Sequence, residues 1–289
     1  MDPRRLRYFL AIVEAGSLSR AAVVLGVAQP ALSQSVAALE AELRVKLLER
    51  SSRGVRPTAA GEALVRRGRA VLRDLQALGD ELRAEGHEVV GSAVVGLTPT
   101  AALTLGEDLI ARTARELPRV RLRIEEGGST ALAQALAAGA LDMTVTPSAA
   151  GPGETLLTEG LSVMAAAPLP APLDLDALAG LGWIVSSPPN AIRGRLDANF
   201  AAAGLAPRIV AEVNSLPLVV RAVSAGLGVS LLPLSLLSAE LAKGQLVAHP
   251  VPGAPRHSLR LQLRRGPLSL AAGAVADLLR AMAADRAKS

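Results

Sequence analysis

The chain has 289 residues, more than one hydrophobic core normally holds, since single cores stop growing near roughly 250 to 300 residues. It contains no cysteine, which excludes disulfides, thiol nucleophiles and thiolate metal sites and fits a reducing, cytoplasmic setting. The net charge is +5, but through Thr58 there are nine Lys or Arg against five Asp or Glu while the remainder is nearly balanced, as a polyanion-binding module at the N-terminal end requires.

The basic start MDPRRLRYFLAIVEAG has its apolar run broken by Glu14 and leads into a polar, capped segment, so no signal peptide is expected. No window reaches the ~18 apolar residues of a membrane span. A first helix is expected from about Arg4 to Ala15, ending at Gly16; Ser17 then caps a second, short helix through Leu25, and Gly26 closes it in a tight turn. In the following LGVAQPALSQSVAALEAEL, Leu32, Val36, Leu39 and Leu43 form one stripe. The other side carries Pro30, Gln34, Ala37, Ala38 and Ala41. A solvated helix face normally displays charge, so this small, uncharged face is expected to touch a partner.

In RVKLLERSSRGVRPTAAGEAL, Arg50, Arg53 and Arg56 recur every three residues around Gly54 and before Pro57, a hairpin or wing pattern. From Ala59 to about Glu85 the chain turns helical, with Leu64, Val71 and Leu78 seven apart and Leu75 and Leu82 likewise, an a/d seam expected to dimerise. Gly61 and Gly68 weaken its start. Beyond Gly86, strands at SAVVGL, VRLRIEE, LDMTVTP, LSVMAAAP, GWIVSS, RIVAEV and VSLLP alternate with helices, which predicts parallel sheets. Those helices are expected at about Thr100–Glu116, Ser129–Ala138, Ala191–Ala203 and Pro217–Gly226, with a Pro-rich loop at Ala167–Leu175.

From Met1 to about Ala284 these residues resemble LysR-type transcriptional regulators. LRYFLAIVEAGSLSRAA, QPALSQSVAALEAELRVKLLER and RPTAAGEAL match the N-terminal winged helix-turn-helix of that family in order, spacing and residue type. GLTPT, EGGSTALAQALAAGALDM and AVSAGLGVSLLP resemble its effector domain, more weakly but collinearly. Within the family, VAQPALSQ, KLLER, RGVRPT and AIRGRLDANF look closest to the branch related to nitrogen-assimilation control. The resemblance implies an α/β multidomain chain: a winged helix-turn-helix at 1–58, a linker and dimerisation helix at 59–86, and a two-lobed α/β effector-binding domain at 87–289, like a small periplasmic binding protein. Lobe I would comprise about 87–160 and 256–289, and lobe II about 161–255.

A helix in the major groove needs small side chains where backbones approach and amides or hydroxyls at base edges, which Pro30, Ser33, Gln34 and Ala37 supply. The resemblance turns Gln29, Pro30, Ser33 and Gln34 toward DNA. Arg50, Arg53 and Arg56 would meet phosphate or the minor groove and Arg20 phosphate, solvated surface charge being the competing reading of each. Ala28 stands where the family commonly has Ser, so the third helix lacks its usual cap unless Gln29 or a phosphate replaces it.

At the other end the resemblance implies a cleft between two lobes. Thr98 and Thr100, then Ser129 and Thr130, lie where strands lead into helices, whose free N–H groups favour an anionic ligand. Ser186, Ser187 and Asn190 hold the corresponding place in lobe II. Helix capping competes for every one of these residues. Arg193 has two open roles, counter-charge for an anionic effector or ion pair with Asp197.

His87, His249 and His257 are expected far from the cleft, and no Ser-His-Asp order, GxGxxG, P-loop or HExxH is present, so an enzyme, cofactor or metal site is not expected. The expected partners are double-stranded promoter DNA, a small effector and further copies of the chain, dimerised through Leu64, Val71, Leu75, Leu78 and Leu82 and by resemblance tetrameric; RNA polymerase contact is compatible with this, membrane contact is not. The rival reading is a solute-binding α/β protein whose N-terminal helices bind a protein partner.

Overall fold

The computed structural model describes residues 1–51, 54–83, 88–147, 153–237, 241, 243–250 and 256–286. Three helices begin it: α1 (Pro3–Ala15), α2 (Leu18–Leu25) and α3 (Gln29–Leu43). Asp2 caps α1, Ser17 caps α2, and Gly16 and Gly26 end the two helices at φ of 62° and 64°, a region in which a Cβ would be strained. Leu6, Phe9, Ile12, Ala21, Leu32, Val36 and Leu39 close a core between them. Each large side chain among these stabilises the fold by about 1.5–3 kcal/mol on burial. Leu43, expected to continue the buried stripe, is 37% exposed at the last turn of α3.

Strands β1 (Leu48–Ser51) and β2 (Gly54–Pro57) pair antiparallel as the wing. Glu40 of α3 ties the wing down by accepting from the Leu47 and Leu48 amides, at 2.8 and 3.2 Å, and from Lys46 Nζ at 2.8 Å. Burial alone would oppose ionisation of this carboxylate; the donors from Lys46, Leu47 and Leu48 outweigh it and hold the group below its ordinary pKa.

Helix α4 (Ala59–Arg83) has 25 residues and so extends about 37 Å. Its first half belongs to the N-terminal core. A Cβ on Gly61 would lie 2.1 Å from the Leu47 carbonyl oxygen and one on Gly68 2.7 Å from Leu6 Cδ1, so both glycines are needed for close approach. Leu64, Val65 and Leu72 pack on the same core. Leu64 therefore faces its own winged helix rather than heading an outward seam, while Val71, Leu75, Leu78 and Leu82 stay exposed. The glycines that weaken the seam are the ones that seat the helix.

Lobe I follows with β3 (Gly91–Leu97), α5 (Pro99–Glu116), β4 (Val120–Glu126), α6 (Ser129–Ala137) and β5 (Met143–Pro147). Strand β6 (Glu154–Ala165) leads into lobe II, which holds α7 (Leu175–Gly180), β7 (Gly182–Val185), α8 (Ala191–Ala202), β8 (Arg208–Glu212), α9 (Leu216–Ser224), β9 (Ser230–Pro233) and β10 (Val247–Pro250). Then β11 (Arg256–Leu263) and α10 (Leu270–Arg286) complete lobe I.

The largest sheet has the order β10-β6-β11-β5-β3-β4, with β9 also on β6. Only β3–β4, β3–β5 and β7–β8 are parallel among the named strand pairs; β11 is antiparallel to β5 and β6, and β6 to β9 and β10. The expectation of parallel sheets holds for those three pairs and is corrected for the others. The reason is topological: β6 carries the chain from lobe I to lobe II and β11 brings it back along the same seam, so the two run in opposite directions.

Lobe I is filled by Val95, Leu97, Leu105, Leu109, Val145, Leu259 and Leu261 under the alanine-rich α10. In lobe II, Trp183 meets Phe200 edge to face, centroids 5.8 Å apart, and donates through Nε1 to the Leu178 carbonyl at 2.8 Å. No single helix among the described residues is long and apolar enough to cross a membrane.

Glycine substitutions should separate close approach from helix propensity. Gly61→Ala should lower unfolding free energy by about 1 to 3 kcal/mol, as overpacking does. Gly273→Ala, in α10 with nothing within 4 Å of a new Cβ, should raise it by up to about 1 kcal/mol. A urea midpoint for Gly61→Ala that stays in place or rises would contradict the packing of α4.

Candidate functional site

On α3, Gln29, Pro30, Gln34 and Ala37 are exposed while Leu32, Val36 and Leu39 are buried, so the uncharged face points away from the core. Arg20 on α2, Arg50 on β1 and Arg56 on β2 are exposed. Arg53 lies outside the described residues. Arg50 reaches from β1 to α3, its Nη2 donating to Ser33 Oγ at 3.1 Å, a wing-to-helix contact that residue spacing alone did not disclose.

Ala28 is the N-cap of α3 and supplies no side-chain bond. Gln29 does not replace it, because its Oε1 accepts from Ser19 Oγ at 3.2 Å and the side chain is turned to α2. Pro30 carries no N–H to satisfy, and the Ala31 N–H donates to the Ala28 carbonyl at 3.0 Å, so the first turn holds without a cap.

The effector-side candidates converge. Thr98, Thr100, Ser129, Thr130, Ser186, Ser187, Asn190 and Arg193 all line one cavity of about 1140 Å³ between the lobes. It opens beyond the carboxyl ends of β3 and β5, where parallel strands deliver helix N-termini. Thr98 is the N-cap residue of α5 but makes no side-chain cap, and its hydroxyl is buried without a hydrogen-bond partner among the described residues. Gly128 caps α6 and has no side chain to offer. In lobe II the capping reading holds for Asn190, whose Oδ1 accepts from the Ile192 and Arg193 amides at 2.9 and 3.0 Å.

The open choice for Arg193 is resolved by its geometry. Nε donates to both Asp197 oxygens at 2.8 Å and Nη1 to Glu212 at 2.7 Å, with Ser186 O at 3.4 Å. These bonds, Glu212 first and then Asp197, hold the guanidinium above its ordinary pKa. Its charge is neutralised by two carboxylates before any ligand arrives.

His257 departs from expectation. It lines the cavity and is 1% exposed, and neither ring nitrogen has a hydrogen-bond partner among the described residues. Burial, and then the nearby Arg195 cation, push its pKa down to about 4. The signal was available in RHSLRLQL: His257, Leu259 and Leu261 alternate as buried positions, so a polar residue occupies a core-facing slot. His249 stays clear of the cavity lining, accepting the Leu169 amide at 3.3 Å, and His87 lies outside the described residues. Asn214, also unanticipated, lines the cavity and accepts from the Ser187 amide at 3.1 Å.

Two stability measurements follow. Ala28→Ser should add roughly 0.5–1 kcal/mol by capping α3, read as a higher thermal midpoint; no change would mean that the first turn is already saturated. For His257 the folded pKa lies below the unfolded one, so the unfolded state binds the extra proton. Stability is intact above about pH 6.5 and falls as pH drops toward about 4, by roughly 3 kcal/mol in full. Subtracting the pH–stability curve of His257→Leu from that of the parent should leave this slope; coincident slopes would mean an ordinary histidine.

Residues 3–62 match the model of the bacterial regulatory helix-turn-helix protein, lysR family, and residues 86–284 that of the LysR substrate binding domain. The nitrogen assimilation regulatory protein nac of Klebsiella aerogenes is 36% identical over 290 residues, covering 96% of this chain and 94% of that protein. A probable hydrogen peroxide-inducible genes activator of Mycobacterium leprae is 34% identical over 262 residues, covering 86% and 84%. Among solved structures, a full-length OxyR variant from Pseudomonas aeruginosa has a TM-score of 0.74 at 26% identity over 97% of each chain. Full-length CbnR complexed with its target DNA shares the fold at 0.70 and 22% identity, covering 97% of this chain and 99% of that one. The uncharged face of α3, the helix behind it and the two-lobed cleft thus fall under one pair of family models, and the chain belongs to the LysR family of transcriptional regulators.

Proposed function

We propose that this regulator reads promoter DNA through α3 and responds to a small anion held in the cleft between its lobes. The observation that carries the reading is the exposed, uncharged face of α3, which Arg50 of the wing reaches at Ser33, together with exposed Arg20 on α2 and Arg56 on β2. In this reading Gln34 bonds an adenine edge, Gln29, Pro30 and Ser33 approach the groove, and the arginines, Arg53 included, neutralise phosphate. The boundaries adopted are 1–58 for DNA binding, 59–86 for the linker and 87–289 for the effector domain.

The exposed Val71, Leu75, Leu78 and Leu82 support dimerisation along α4. A tetramer, a cytoplasmic location and contact with RNA polymerase complete the reading. The effector's charge rests on α5 and α6, which begin at the cavity without side-chain caps and so offer N–H groups and the positive dipole end. Thr98, Thr100, Ser129 and Thr130 would hold the anion, with Ser186, Ser187 and Asn190 facing it; Arg193 shapes lobe II through its carboxylate partners.

Band shifts across a salt series on the gene's own upstream region test the DNA reading. Affinity should fall with salt and exceed that for scrambled DNA. Gln34→Ala should cost about 1 to 3 kcal/mol on the specific site and little on random DNA. Equal losses on both would make Gln34 a phosphate contact, and sequence-blind binding by the parent would remove the reading altogether.

A further inference from the structure

Strand β11 crosses the hinge, and His257 sits on it opposite Glu159 of β6. Leu97, Val145 and Leu261 form one row across the lobe I sheet. Thr98 is one step above that row and His257 four residues along β11 from Leu261, so the two are roughly 10 Å apart along the strands. They mark two ends of the cavity: the start of α5 at one, the hinge at the other.

The chemistry of the two ends differs. On the strands that flank His257 the lining includes Pro147, paired with Leu259, and Leu231 and Leu232 of β9 beside β6, with Ser230 next to them. Among the described residues the one arginine in the lining is Arg193, already paired with Asp197 and Glu212. Arg195 is not among the lining residues and donates to the Arg256 carbonyl. An ionised carboxylate at the hinge would therefore be desolvated among apolar walls without a free counter-charge in the lining, which is costly. A neutral imidazole presents one N–H donor and one lone-pair acceptor. The two directions diverge, so one terminal group meets one nitrogen: a carboxylate can only accept from the N–H, whereas a carboxamide or hydroxyl can serve whichever nitrogen faces it. Burial keeps this imidazole neutral at physiological pH.

We propose that His257 forms a neutral hydrogen-bonding subsite at the hinge end of the cleft, selecting a monoanionic effector that carries a carboxamide or hydroxyl at its far end over one that carries a second carboxylate. The inference rests on the anion-binding reading of the cleft and adds the class of the ligand's other end. His257 acts as a specificity-determining residue, and no covalent step is involved.

Calorimetric titration of the full chain with valerate, glutarate and glutaramate, and with the one-carbon-longer hexanoate, adipate and adipamate, tests it. All share one carboxylate and differ only at the distal end. The half-amide of one length should bind the parent about tenfold tighter than the diacid and the simple acid of that length, the equivalent of about one well-made hydrogen-bonded pair. His257→Leu should abolish the advantage of the amide over the simple acid of the same length, while His257→Gln, which keeps a donor and an acceptor, should retain most of it. A diacid that equals or exceeds its half-amide on the parent overturns the subsite and leaves the anion cleft standing. So does an amide preference that survives in His257→Leu. Absence of binding by all six compounds would overturn the anion reading of the cleft, and this subsite with it.

Discussion

The carboxylate of Asp142 is the joint on which the arrangement of domains depends. It is buried where lobe I meets α4, accepts the Val94 amide at 2.9 Å, and has Arg264 Nε at 3.5 Å and Arg73 Nε at 3.9 Å. Arg264 also bonds Asp74 at 2.7 Å, and Arg73 donates to the Ala140 carbonyl at 3.2 Å, so both arginines link the linker helix to the lobe. Losing one member of such a cluster strands a charge away from water, a penalty of about 3 to 5 kcal/mol. A loose contact between helix and lobe is therefore disfavoured. Since Gly61 and Gly68 seat the start of α4 against Leu47 and Leu6, one unbroken helix is fixed to the winged helix at one end and to lobe I further along.

Charge is handled in the same manner at both candidate sites: it is placed at the flank or paired. The outer face of α3 is uncharged and exposed arginines lie on the neighbouring α2 and wing, one of them bonded to Ser33. In the cleft, Arg193 is held by two carboxylates, and two helices begin at the wall without side-chain caps. What both surfaces offer at close range is hydroxyls, amides and backbone dipoles. Groups of this kind distinguish ligands by hydrogen-bond pattern, while the longer-range attraction comes from charges set further back.

Much of the N-terminal helices was legible in the sequence because the causes are local: Ser17 as a cap, Gly16 and Gly26 at positive φ, and an apolar stripe on α3 that runs from Leu32 to Leu39, one turn short of the expected Leu43. The converging lining residues were legible for a similar reason, since each stands where a strand pattern gives way to a helix pattern. What was not legible depends on partners distant in sequence. Leu64 fits a heptad seam by spacing, yet Leu6 and its neighbours claim that side of the helix. The first half of β6, ETLLTEG, is half-polar and acquires strand structure by pairing with β11, almost a hundred residues later. His257 belongs to the same class: only the return of the chain through the hinge brings it to the cavity that Thr98 and Ser129 line from lobe I.

That return constrains how the lobes can move. Lobe I is held to α4 by the Asp142 cluster, whereas the backbone passes between the lobes along β6 and at the approach to β11. A change in the angle between lobes must therefore be absorbed in those strands, near Glu159, Gly160 and His257, and a ligand shifts that angle only by the difference in its binding free energy between the two arrangements. Groups confined to lobe I, such as Thr98 and Ser129, keep their mutual geometry at any angle and so supply affinity without bias. Groups at the hinge or across it change their distance from a lobe I anchor as the angle changes. His257, Ser186 and Asn190 are thus among the lining residues through which a ligand bound as proposed would bias the inter-lobe angle.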